Sequence, residues 1–63
     1  MYLSRMKNKV KDYLRIRYGL NENQIALAML NDSNGIKEGA KEDIAPESVA
    51  EAVYKNYKHS YGL

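Results

Sequence analysis

Residues 31–45, NDSNGIKEGAKEDIA, decide how many helices this chain has. Asn31-Asp32-Ser33-Asn34-Gly35 is turn chemistry, and Asn34-Gly35 is a strong turn dipeptide because both residues tolerate left-handed backbone. Ile36, Ala40 and Ile44 then recur every fourth residue, a spacing that would stack them on one helical face. Against a helix stand Gly39 in its middle and the like-charged i,i+4 pairs Lys37–Lys41 and Glu38–Glu42. The balance favours a long surface loop pinned by Ile36 and Ile44. Its length is unusual in so small a chain and marks it as functional or mobile.

The flanks are helical. Upstream, Ile25 to Leu30 is apolar all round, and Ala, Leu and Met are helix formers, so a short, deeply buried helix is expected over about 22–31. Asn21 and Gln24 have capping-box spacing at its start. Before it, Leu3, Met6, Val10, Tyr13 and Leu14 stack on one face of an amphipathic helix over about 4–18, with Ser4 as N-cap. Gly19 suits a left-handed residue past that helix, and Leu20 can fold back onto Leu14. Downstream, Pro46 suits the first turn of a helix over about 46–61. Val49, Val53 and Tyr57 form its apolar stripe, widened by Ala50, Tyr54 and Tyr61, and Gly62 ends it. The expectation is all-α: one compact three-helix domain over 1–63, with a long surface loop between helices two and three.

In layout, though not in family membership, the order of signals resembles the ubiquitin-associated type of three-helix domain. Tyr18-Gly19-Leu20 stands at the corner where such domains carry Met-Gly-aromatic, Ala28 and Leu30 follow in the second helix, and Val49 to Val53 would open the third. The likeness covers about residues 10–57; the corner lacks its methionine and the stretch 31–45 is too long for the pattern.

Composition narrows function further. With 63 residues and no cysteine, the chain has no disulfide staple and no thiolate metal site. Its core barely offsets the entropy of ordering it, so helix packing, a partner or self-association must supply stability. The +2 charge is segregated. Arg5, Lys7, Lys9, Lys11, Arg15 and Arg17 against Asp12 give residues 1–20 a net +5. Glu22, Asp32, Glu38, Glu42, Asp43, Glu47 and Glu51 against Lys37 and Lys41 give residues 21–53 a net −5, and Lys55 and Lys58 restore +2. No run approaches the roughly 18 apolar residues that span a bilayer, and no apolar signal-type segment opens the chain, so a cytoplasmic address is expected.

An enzyme is not expected. The lone imidazole, His59, lies on a polar tail, and the carboxylate pairs Glu38–Glu42 and Glu47–Glu51 fall on polar faces without a cleft. No cofactor or metal is implied. If Gly35 were the turn glycine of an EF-hand loop, the first and last ligands would be Leu30 and Lys41. Gly35 and Gly39 form no phosphate-binding fingerprint. A helix-turn-helix would use Ile36 to Ala45 for recognition, where Glu38, Glu42 and Asp43 repel phosphate. Membrane-surface attachment would consume the apolar face of helix one that the core needs.

Two binding readings remain. The favoured one is a non-enzymatic protein-interaction module, regulatory or accessory, using exposed Ile16, the corner residues Tyr18 and Leu20, and the cations Arg5 and Lys9. The alternative is weak, sequence-nonspecific nucleic-acid binding by Arg5, Lys9, Arg15, Arg17, Tyr54 and Tyr61, combining phosphate neutralisation with base stacking. A third reading is a homodimer that completes its core by pairing helix one or three. The richness in Lys, Asn, Ile and Tyr is compatible with an AT-rich bacterial genome, and the size with a phage or mobile-element accessory protein.

Overall fold

The computed structural model describes residues 1–63 and contains four helices and no strands: α1 Leu3–Ile16, α2 Glu22–Asn31, α3 Ser33–Lys41 and α4 Pro46–Tyr61. The expected three-helix count is therefore wrong. The stretch read as a surface loop holds α3, and only residues 42–45 connect it to α4. The likeness to the ubiquitin-associated layout falls with it.

The physical reason is burial. Ile36 is 1% exposed and Ala40 is buried beside it, both facing the common core. Burying an isoleucine side chain contributes about 1.5–3 kcal/mol, and Ala40 adds to that. The two glycines of α3 together cost about 2 kcal/mol relative to alanine, a cost that this burial offsets. Gly39, which counted against a helix, is instead what lets α3 approach α4. A Cβ built on it would stand 2.6 Å from Val49 Cγ2.

The turn-forming residues have a different role as well. Asp32 alone separates α2 from α3, at φ −126° and ψ 39°. Its carboxylate does not cap α3; Oδ2 accepts from Asn56 Nδ2 of α4 at 2.8 Å, while Asn31 Nδ2 donates to the Asn56 carbonyl at 3.4 Å. The bend is thus fastened to α4. At the other end of α3, Asp43 adopts φ 56°, a left-handed conformation that aspartate tolerates better than most residues. Ile44 N–H returns to Gly39 O at 2.9 Å and Asp43 N–H to Ala40 O at 3.3 Å, which closes a Schellman motif.

The other boundaries follow local chemistry. Ser4 lies inside α1 rather than capping it; Tyr2 is the N-cap and offers no side-chain bond. Helix α1 also ends at Ile16, two residues before the expected Tyr18, because Gly19 at φ 67° turns the chain and Leu20 N–H returns to Leu14 O at 3.1 Å. Helix α2 starts with a complete capping box: Gln24 N–H donates to Asn21 Oδ1 at 2.9 Å, and Asn21 N–H to Gln24 Oε1 at 2.8 Å. Pro46 occupies the first turn of α4.

The core joins all four helices. Met6, Val10 and Leu14 of α1 are fully buried, as are Ala28, Ala50 and Val53, with Ile25, Ile36, Val49 and Tyr57 nearly so. In the absence of Phe and Trp, tyrosine supplies the aromatic volume. Tyr57 is buried while Tyr13, Tyr18 and Tyr54 pack at the edge. No buried side-chain oxygen or nitrogen lacks a partner, so the unpaired Tyr57 hydroxyl reaches the surface. No helix is long and apolar enough to cross a membrane.

Candidate functional site

The first candidate surface is the outer column of α1. Helical spacing aligns Arg5, Lys9, Asp12 and Ile16 there, away from the buried Met6, Val10 and Leu14. Ile16 is 82% exposed. Together with Lys9, Asp12, Tyr13 and Arg17 it borders an open groove of about 330 Å³. Arg5 and Lys9 make no ion pair.

Tyr18 and Leu20, the corner residues expected to join this surface, are occupied elsewhere. The Tyr18 ring stacks on Tyr54 of α4 with centroids 4.3 Å apart and planes 20° from parallel. Leu20 packs against the core. The corner is a joint between α1, α2 and α4, and of the five candidate protein-binding residues only Ile16, Arg5 and Lys9 remain on offer.

The candidate nucleic-acid residues separate in the same way. Arg15 donates from Nε and Nη2 to Glu22 Oε1 at 2.9 and 2.7 Å, and from Nη1 to Asp12 at 3.3 Å. Arg17 Nη1 donates to Glu47 at 2.8 Å. That hydrogen bond and the carboxylate charge raise the Arg17 pKa above its ordinary value. Tyr54 is covered on one face by Tyr18 and carries Lys58 Nζ 4.9 Å from its ring centroid. Tyr61, half exposed, tilts against Tyr57. Arg5, Lys9 and Tyr61 are left without a competing polar partner, and they do not form a stacking platform with interleaved cations.

A second surface was not expected. Helix α2 is not deeply buried: only Ile25 and Ala28 are. Leu27 is 42% exposed and Leu30 76%, and they share the outward face with Asn23 and Ala26. No charged residue lies on that face. The unbroken apolar run concealed this, because a sequence apolar on every side carries no sign of which side the core will take. The available signal was length: a ten-residue helix in a 63-residue chain has neighbours enough to cover one face only.

Beside this face, Lys7 and Lys11 of α1 stand over Ala26, Met29 and Leu30 of α2, with Ile36 of α3 at the floor of a groove of about 290 Å³. No carboxylate lines it, and neither lysine is in an ion pair. No three His, Cys, Asp or Glu side chains converge where they could hold a metal ion, and His59 is exposed. Comparison with family models, with curated proteins and with solved structures finds no match, so the function must be argued from these surfaces.

Proposed function

We propose that this chain is a non-enzymatic protein-interaction module of accessory or regulatory kind. One observation carries the reading: Leu27 and Leu30 stand exposed on a face of α2 that bears no charge, in a chain whose core holds only eleven apolar residues. A contiguous apolar surface left out of a marginal core favours burial against a partner. Ile16, with Arg5 and Lys9 along the same column of α1, supplies a second and smaller contact region.

Nucleic-acid binding is the second reading. Arg5, Lys7, Lys9 and Lys11 are unpaired and favour it. It is weakened because Arg15 and Arg17 are already neutralised by Glu22 and Glu47, and an uncharged apolar face adds nothing to phosphate binding.

A photo-crosslinking residue at Asn23, on the same face as Leu30, distinguishes the two in cells of the source. The expected result is discrete protein adducts that disappear in a Leu30→Asp background and are absent from an exposed control position such as Lys41. Adducts to nucleic acid alone, or the same adducts at both positions, would overturn the proposal.

A further inference from the structure

From the groove between α1 and α2 we infer the class of partner: an acidic amphipathic helix of another protein, laid along Ala26, Met29 and Leu30 with its carboxylates on Lys7 and Lys11. The inference rests on the protein-binding reading and specifies where and what it binds.

Four observations lead there. All the backbone at the groove belongs to helices, so there is no free strand edge onto which a peptide could add a strand. No aromatic ring lines the groove, which removes the platform that proline-rich segments need. The cations are two lysines rather than an arginine cluster, so the planar, bidentate capture of a phosphate is not built here. Finally, four of the seven lining residues are apolar, Ser33 is the one uncharged polar residue, and the two charged ones are both lysines.

A largely apolar groove lined by α1, α2 and α3 fits a further helix laid into it, apolar residues at i and i+3 or i+4 facing inward. Lys7 and Lys11 are one turn apart, about 6 Å along α1, which matches Glu or Asp residues one turn apart on the partner. Since neither lysine has an internal ion pair, a partner's carboxylates would meet them without displacing an existing salt bridge. A two-fold pairing of this chain through the same groove would gather four lysines in one interface with no carboxylate of the groove to meet them. Charge therefore favours a different protein over a second copy.

The test is selection from a displayed library of helical peptides on the full chain, followed by amide shift mapping and titration with the best peptide. The expected consensus places Leu, Ile, Met or Phe at i and i+3 or i+4, with Glu or Asp one turn apart on the flank. The largest amide shifts should fall on Lys7, Lys11, Ala26, Met29 and Leu30. A Lys7→Glu, Lys11→Glu double variant should bind the peptide at least tenfold more weakly and should prefer a version whose acids are changed to lysine. Both lysines are exposed, and unchanged far-ultraviolet circular dichroism will establish that the variant is folded.

Several results would overturn the inference. These are a basic or proline-aromatic consensus, no saturable binding, binding only to anionic vesicles, or concentration-dependent self-association that the double variant abolishes. Shifts centred on Ile16 would remove this groove while leaving the interaction module standing. Absence of peptide binding together with absence of specific crosslinks from Asn23 would remove both.

Discussion

Gly39 and Val49 set the distance between α3 and α4. A Cβ at position 39 would stand 2.6 Å from Val49 Cγ2. Valine is stiff at its first torsion, and Val49 is buried, so it has little room to swing aside. Overpacking of this kind costs about 1–3 kcal/mol, against a helix-propensity gain of about 1 kcal/mol for alanine. Gly39→Ala is therefore expected to lower stability by about 1 kcal/mol net, read as a shift in the urea midpoint. Gly35→Ala is the comparison. Its new Cβ would meet the Asp32 carboxylate, which must swing off Asn56 and give up a hydrogen bond worth about 0.5–1.5 kcal/mol, against a propensity gain of about 1 kcal/mol. That variant should stay within about 0.5 kcal/mol of the parent. Equal losses at the two positions would show that the approach to Val49 is not what requires glycine.

At the scale of the element, α2 has two faces with opposite consequences. Ile25 is 2% exposed and part of the core, so Ile25→Ala should cost about 2–5 kcal/mol. Leu30, 76% exposed, should tolerate replacement by aspartate with a loss of no more than about 1 kcal/mol, from lower helix propensity and a carboxylate in the last turn of α2, measured on the same denaturation curve. A large loss from Leu30→Asp would mean that the outward face is structural and would remove the basis for a docking surface. The start of α2 is fixed by Asn21, whose carboxamide receives the Gln24 N–H. Asn21→Ala should therefore lower stability by about 1 kcal/mol, and Asn21→Asp should retain most of it. The three-residue spacing of Asn21 and Gln24 is enough to make this capping box legible in the sequence.

At the scale of the molecule, the segregated charges fold back on one another. Arg17 of the basic head reaches Glu47 at the start of α4, Arg15 reaches Glu22, and the Met1 amine lies 3.1 Å from Asp43. The Arg17 pKa is raised by Glu47, so this contribution is present below the ordinary arginine range and is lost only as pH rises through the raised value. The arginine side of the pair therefore stays charged across the physiological range. These links close the molecule, while the core carries its stability. At 0.05–0.15 kcal/mol per residue a chain of this length has about 3–9 kcal/mol in all. Ile36→Ala, at about 2–5 kcal/mol, should remove much of that and populate the unfolded state near room temperature. The signal at 222 nm should fall in one transition that includes all four helices. If only a small fraction of the helicity were lost and the rest melted as in the parent, α3 would be an appendage of a three-helix unit.

What is legible in the chain is what depends on near neighbours. The 22–31 and 46–61 helices, the Asn21 capping box, the Gly19 turn and the apolar stripe of α1 all rest on spacings of a few residues. The exposure of Ile16 is legible for the same reason, since the α1 wheel has a clear apolar side. Long-range packing governs the rest. The four-residue recurrence of Ile36, Ala40 and Ile44 cannot outweigh two glycines until the core residues of α1, α2 and α4 are there to bury Ile36 and Ala40. Tyr18 and Arg17 look free in the sequence because Tyr54 and Glu47, which engage them, lie far along the chain. The open face of α2 is hidden because an all-apolar run does not say which side faces the core. Propensity and capping act within a turn or two of helix, whereas burial and charge pairing depend on which distant residues the fold brings into contact.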